Sequence, residues 1–196
     1  MKKLLAIILI FTNLCSYAFD VAELEQQLRQ TKIVQGQFIQ QRFLKGLDKP
    51  IVSSGQFALA QGKGLLWQME KPITNTMRVT PQQGIEYLIN NQWAKKKQST
   101  AAETQQIQLF LNLLEGNTQG LKEQFNLQLQ GNAAQWQLQL TPNSFLIKNI
   151  FNKIEIQGGK TVQQIDLYET QGDNSRILLQ QQRLNQSLTG LPPNAL

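Results

Sequence analysis

Asn126-Leu127-Gln128-Leu129-Gln130 and Trp136-Gln137-Leu138-Gln139-Leu140 alternate apolar and polar side chains almost without error, with Gly131-Asn132 between them. Successive side chains of an extended chain point to opposite faces, so this spacing gathers the leucines and Trp136 on one face and the glutamines on the other. Glycine and asparagine tolerate the positive φ of a tight turn, and the two runs therefore predict a half-buried antiparallel hairpin. The glutamines are interleaved with leucine rather than contiguous, which reads as an uncharged solvent face and not as a low-complexity tract.

The same period of two extends outward on both sides. It begins near Val34 and runs through Gly55-Gln56-Phe57-Ala58-Leu59 and Leu65-Leu66-Trp67-Gln68-Met69. Further strands are expected near 76–80, 85–89 and 92–96, with Asn90-Asn91 as a turn. Alternation returns over 153–156, 162–168 and 176–179, punctuated by Gly158-Gly159 and Gly172-Asp173-Asn174, while 145–151 fits either a short helix or a loop. The period changes in only two places. Asp20 caps a helix in which Glu23 completes a capping box and Val21, Leu24 and Leu28 share a face. Ile107, Phe110, Leu111 and Leu114 follow helical i, i+3, i+4, i+7 spacing, so 101–115 predicts an amphipathic helix ended near Gly116. The fold class is mainly β (α+β), an antiparallel meander with one apolar face. Such a sheet either closes on a filled core or curves round a cavity lined by the same side chains, and periodicity does not choose between them.

Residues 1–18 read as an export signal. Lys2 and Lys3 give a positive start, 4–11 an apolar stretch, and Ser16-Tyr17-Ala18 a small-x-small cleavage site. A membrane span needs about 20 apolar residues, and Thr12 and Asn13 interrupt this one. The expected products are a signal peptide, 1–18, and a single domain, 19–196, delivered to the periplasm and soluble after cleavage. Leu14 precedes Cys15 where a lipobox cysteine usually follows a small residue, which argues against lipid attachment there.

Composition removes several classes of function. Cys15 is the sole cysteine, so 19–196 has neither disulfide nor thiolate ligand, and no histidine supplies a general base or a neutral metal ligand. The thirteen carboxylates show no spacing that pairs a nucleophile with a base. No metal site and no cofactor is expected. The net charge of +6 is a mild excess, lower still once Lys2 and Lys3 leave, and does not imply nucleic-acid binding. Lys95-Lys96-Lys97 reads as a solvated strand end. Gly159-Lys160-Thr161 resembles the end of a phosphate-binding loop, but Ile154 stands where that motif needs glycine.

Three segments in order, Gly36-Gln37-Phe38-Ile39-Gln40-Gln41-Arg42, 50–57 (Pro50 through Ser54-Gly55-Gln56-Phe57) and 64–72 (Gly64-Leu65-Leu66-Trp67-Gln68-Met69 through Pro72), resemble the LolA-like periplasmic lipoprotein carriers. The resemblance continues through Thr80-Pro81-Gln82-Gln83-Gly84-Ile85, the mid-chain helix and Leu140-Thr141-Pro142, covering nearly all of 19–196. It implies a strongly curved, unclosed β-barrel whose helices cover an apolar cavity that shields lipoprotein acyl chains in transit between two membranes. By the same resemblance Leu65, Trp67 and Met69 face cargo, with Phe38, Phe57 and Leu59 beside them, and Ile107, Phe110, Leu111 and Leu114 form a lid. It also implies two partners, an inner-membrane release complex and an outer-membrane acceptor, for a monomeric, non-enzymatic carrier of lipoprotein or another lipid cargo. One departure stands out. The family carries an arginine six residues before the tryptophan, where it latches the lid, and this chain has Gln61.

Plain core packing also accounts for each of these apolar positions, and a β-rich envelope binding or scaffolding module with a filled core is the competing reading. The signal reading predicts that the exported protein begins at Phe19 with a free amine, measured by intact mass. A diacylglycerol on Cys15 overturns it.

Overall fold

The computed structural model describes residues 19–95, 107, 109, 111, 112, 114–192 and 194–196. Residues 1–18 with Cys15, residues 96–106 with Lys96 and Lys97, and Phe110 lie outside the described residues, and with them the expected export signal and the first part of the expected 101–115 helix. Two antiparallel meanders are joined along one seam. The first contains β1 (Ile33–Phe43), β2 (Ile51–Ala60), β3 (Gly64–Lys71), β4 (Asn75–Thr80), β5 (Gly84–Ile89) and β6 (Gln92–Ala94). The second contains β7 (Phe125–Asn132), β8 (Gln135–Pro142), β9 (Phe151–Gly158), β10 (Val162–Glu169) and β11 (Asn174–Leu184). β1 pairs with β11 from Val34 opposite Leu184 to Phe43 opposite Asn174, giving the order β6-β5-β4-β3-β2-β1-β11-β10-β9-β8-β7. β6 and β7 are the two edges, so the sheet is a curved half-barrel that does not close.

The period-two reading holds with two adjustments. The 126–140 hairpin pairs Leu127 with Leu140 and Leu129 with Leu138, but β7 continues through Asn132 and the two-residue loop is Ala133-Ala134. Asn132 is a strand residue whose side-chain oxygen accepts from the N–H groups of Ala134 and Gln135, at 2.9 and 3.2 Å, and so closes the turn from one position earlier. β6 stops at Ala94, short of the expected 96. Residues 145–151 divide between the two expectations: α3 (Phe145–Lys148) is a single helical turn capped by Ser144, and β9 starts at Phe151.

In an antiparallel meander the connections alternate between two ends. One end carries 61–63, 81–83, 133–134 and 159–161, and α1 (Val21–Gln30) lies across it. The α1 capping box forms as read, with Glu23 N–H donating to Asp20 at 2.9 Å and Asp20 N–H to Glu23 at 3.0 Å. Leu24 and Leu28 are buried, Gln61 donates to the Leu28 carbonyl, and Gln27 donates to the carbonyls of Ala133 and Gly159. This end is thereby shut. The other end carries 44–50, 72–74, 90–91, 143–150 and 170–173; its helix, Phe145–Lys148, is a single turn, and a second short helix, α2 (Thr118–Lys122), leads into β7. Every large apolar side chain that is exposed among the described residues is at that open end. Phe43, Leu47, Ile51 and Val52 surround the β1–β2 loop, Ile73 and Ile89 sit at the β3–β4 and β5–β6 turns, and Phe145 and Leu146 occupy α3.

The inner face forms one core running from Val34, Phe38, Phe57 and Leu65 to Ile165, Ile177, Leu140 and Ile154. The outer face is divided. Over the second meander it is polar, with Arg176 bonded to Asp166 at 2.6 Å and Lys153 and the Tyr168 hydroxyl both donating to Glu155. Over the first meander it is covered. Gln35, Ala58, Leu66, Arg78 and Glu86 are successive cross-strand partners in a single row, and the C-terminal segment 185–196 lies along it. Gln35 holds one end of this strap through the carbonyls of Gln186 and Ser187 and the N–H of Thr189. Arg78, paired with Glu86 at 2.7 Å and stacked over Trp93, donates to the Asn194 carbonyl at the other end. Leu188, Leu191 and Ala195 seal Ala58 and Leu66 between them.

Leu66 points away from the main core yet has no accessible surface. Because the strap encloses it, Leu66→Ala is expected to cost about 2–5 kcal/mol, the range of an inner-core leucine. Urea unfolding of that variant beside Leu65→Ala measures the comparison; a loss below about 0.5 kcal/mol, the scale of a surface substitution, rules out a stable strap.

Candidate functional site

Phe38, Phe57 and Trp67 meet in the middle of the inner face. Trp67 pairs with Phe57 on one side and Met77 on the other, and stacks on Phe38 with ring centroids 3.8 Å apart and planes at 22°. Phe57 lies tilted against the same indole at 6.1 Å. Gly36 makes this arrangement possible, since a Cβ there would meet the Gln180 carbonyl at 2.6 Å and the Phe57 ring at 3.1 Å.

Above this aromatic floor, toward the open end, is a cavity of about 260 Å³. Its apolar wall comes from Trp67, Met77, Ile150, Leu167 and Ile177, and the mid-chain segment contributes Ile107 and Leu109. Gln40, Arg42, Glu169 and Ser175 supply polar groups. Arg42 lies 3.7 Å from both Glu169 and Asp173, so the one cation of the lining is paired with carboxylates.

Of the six residues expected to face cargo, Trp67 lines this cavity. Phe38 and Leu65 are fully enclosed and Phe57 and Leu59 nearly so, in the packed layer beneath it. Met69 is half-buried against the same core. Of the expected lid residues, Ile107 lines the cavity and Leu111 and Leu114 are buried in the core, while Phe110 is outside the described residues. Residues 107, 109, 111, 112, 114 and 115 are helical, and Gly116 ends the segment with φ +67°, packed on Leu28 where a Cβ would approach within 2.8 Å. Sequence reasoning missed Leu109, which the i, i+3, i+4, i+7 stripe omits. It also missed Met77, Ile150, Leu167 and Ile177, whose shared location depends on the pairing of distant strands.

Gln61 joins the sheet to α1: its amide donates to the Leu28 carbonyl at 3.1 Å and its oxygen accepts from Lys32 at 3.4 Å. The mid-chain segment is held one residue further on, where the Gly62 N–H bonds the Glu115 carboxylate. Oε1 of Glu115 is buried and has no partner among the described residues. Burial raises the Glu115 pKa, and this outweighs the Gly62 hydrogen bond and the attraction of Arg29, which both lower it.

The Gly159-Lys160-Thr161 stretch is the β9–β10 turn, as its hairpin context requires, and the Gly159 carbonyl accepts from the indole N–H of Trp136 at 2.7 Å. Among the described residues no group of three or more histidine, cysteine or acidic side chains is placed to hold a metal ion, and no helix is long and apolar enough to cross a membrane.

The family described as outer membrane lipoprotein carrier protein LolA-like matches residues 14–186. Among solved structures, MucB superimposes with a TM-score of 0.52 at 12% identity over 87% of this chain and 60% of that one. The Pseudomonas aeruginosa MucA/MucB complex gives 0.51 at 13%, over 85% of this chain and 56% of that one. A LolA superfamily protein from Nitrosomonas europaea gives 0.46 at 7% identity, over 87% and 96%. The chain thus spans under two thirds of the MucB chains it resembles, and at these identities the likeness concerns the fold. No curated protein matches the chain.

The Glu115 geometry sets a pH dependence. A carboxyl whose folded pKa is raised binds its proton more tightly in the folded state, so the stability it contributes is present below its usual value of 4.5 and is lost as the pH rises through the raised value. Glu115→Gln is therefore expected to melt higher than the parent protein at neutral pH, with the difference shrinking toward pH 4. A difference that is constant across this window refutes the assignment.

Proposed function

Because the chain belongs to the LolA-like outer membrane lipoprotein carrier family, we propose that it is a non-enzymatic periplasmic carrier that shields the acyl chains of lipoproteins, or of a related lipid, between inner and outer membrane. The observation that carries this reading is the apolar cavity over Trp67, roofed by Ile107 and Leu109 and open at the end where α1 is absent. Acyl chains are bound by being removed from water, at roughly 0.8 kcal/mol per methylene, so affinity grows with chain length and needs no sequence-specific contact. The wall of Trp67, Met77, Ile107, Leu109, Ile150, Leu167 and Ile177 suits this chemistry, and the one cation of the lining is paired with Glu169 and Asp173. At about 260 Å³ the cavity is slightly below the roughly 300–1,000 Å³ of ordinary ligand pockets. A full acyl chain therefore requires the mid-chain segment to withdraw Leu109, Leu111 and Leu114, exchanging their contacts with the sheet for contacts with cargo.

In this reading 1–18 is the export signal and 19–196 the working domain. The layer of Phe38, Phe57, Leu59, Leu65 and Met69 supports Trp67 at the cargo. The β2–β3 turn is the latch, Gln61 tying it to α1 and Gly62 tying it to Glu115 at the end of the lid. With neutral Gln61 where the family has arginine, position 61 itself brings no fixed charge to this latch. The protein works as a monomer, receiving cargo from an inner-membrane release complex and giving it to an outer-membrane acceptor. A second reading is a binding module for a protein, and the solved structure of MucB in complex with MucA gives it a precedent on this fold.

Titration with an acyl-chain fluorophore separates the two. The parent protein is expected to bind it with a change in Trp67 emission, and Met77→Glu, which sets a carboxylate against hydrocarbon in a cavity that admits water, to stay folded and bind at least tenfold more weakly. Hydrogen exchange over 107–115 should rise when lipid is bound. A parent protein that gives no signal, with exchange unaltered by lipid, sinks the carrier and leaves the protein-binding module.

A further inference from the structure

The open end of the half-barrel is unlike the rest of the surface. Among the described residues all the exposed large apolar side chains are there, on or beside four connections that are far apart in sequence, and the far end, closed by α1, has none. Ile73 keeps 73% of its surface in water and Phe145 78%. A stray exposed leucine needs no explanation, but eight such residues confined to one rim do. They stand on separate turns as prongs round the mouth, and they do not line a groove that would seat a helix or strand.

The same rim carries exposed lysines. Lys45 and Lys49 in the β1–β2 loop, Lys71 beside Ile73 and Lys148 beside Leu146 are exposed, and none of the four is in an ion pair among the described residues. Arg42 is shared between Glu169 and Asp173, so with the four lysines it makes five cations against four carboxylates, Asp48, Glu70, Glu169 and Asp173, a small positive excess in which the lysines are the unpaired cations among the described residues. Short apolar prongs flanked by exposed lysines suit an interface whose outer layer is anionic and whose next layer is hydrocarbon. We propose that the open rim docks directly on a phospholipid bilayer carrying anionic headgroups, with Leu47, Ile73, Phe145 and Leu146 entering the interface and Lys45, Lys49, Lys71 and Lys148 meeting the headgroups. The proposal rests on the carrier reading only for its purpose: the cavity opens at this rim, so an acyl chain passes between bilayer and cavity without crossing bulk water.

Co-sedimentation with vesicles of roughly seven parts phosphatidylcholine to three of phosphatidylglycerol tests it. The parent protein is expected to sediment with these vesicles, less with phosphatidylcholine alone, and less as salt is added. The pair Ile73→Asp with Phe145→Asp and the pair Lys45→Glu with Lys148→Glu should each weaken binding at least tenfold, and all four positions are exposed enough to leave the melting temperature unchanged. Separately, Phe145→Trp should show emission that brominated acyl chains quench beyond the quenching of the parent protein. A parent protein that stays in the supernatant overturns the proposal and leaves the rim to a protein partner. Charge and apolar variants that sediment like the parent, or a Phe145→Trp variant quenched by bromine no more than the parent, overturn it as well. Met77→Glu keeps the two hypotheses apart: sedimentation that survives while the parent fails to bind acyl probe refutes the carrier and not the membrane contact, and the converse result refutes the contact alone.

Discussion

The pairing of β1 with β11 holds the molecule together. Each meander is an open sheet with one apolar face, and the shared seam makes them the two walls of a single trough. Its register sets Phe38 opposite Leu179, Gln40 opposite Ile177 and Arg42 opposite Ser175. Four of these residues, Gln40, Arg42, Ser175 and Ile177, also line the cavity, which therefore straddles the seam. The shift in register between Gln35 and Gln37 falls where Gly36 lets the β11 backbone approach, and the bulge adds to the bending that gives the sheet its trough. Fold and cavity thus depend on the same contact, made by residues some 140 positions apart in the chain.

Much of the fold was legible because its signals are local. Alternation in Leu127-Gln128-Leu129 or Trp136-Gln137-Leu138 is decided by neighbours, as is the capping box of Asp20 and Glu23, and each element appeared close to its expected place. Three features left no local trace. Nothing in the period of 174–184 says that it pairs with β1, so the cavity contributions of Leu167 and Ile177 could not be read. Leu188 and Leu191 follow neither period, and the strap they form was invisible. Leu66, flanked by Leu65 and Trp67, fits the outward half of an alternating strand, and only the strap explains why that half is apolar there. The cavity itself came from resemblance to a family, since an apolar strand face is written the same way whether it is packed or hollow.

The difference between packed and hollow is a matter of depth along the strand. β3 leaves the end closed by α1 at Gly64 and reaches the open end at Lys71, and its residues change from buried to exposed along that path. β2, running the other way, changes from exposed to buried. Leu65 and Trp67 share a face and a residue class, yet the first is enclosed in the deep layer and the second opens on the cavity. Parity gives the face of a residue, while its distance from α1 gives its role.

The strap has a mechanical consequence. Along β1 to β5 it turns a single sheet into a double layer, bolted at Gln35 and at Arg78 and filled by leucines, and such a layer resists bending as a laminate does. The wall made of β7 to β10 has no such backing among the described residues: its outer surface is glutamine and a few ion pairs. When a flexible plate and a stiff one share a hinge line, the flexible one takes up the strain. A change in the width of the trough would therefore fall on the glutamine-faced wall and leave the aromatic floor, which stands on the braced one.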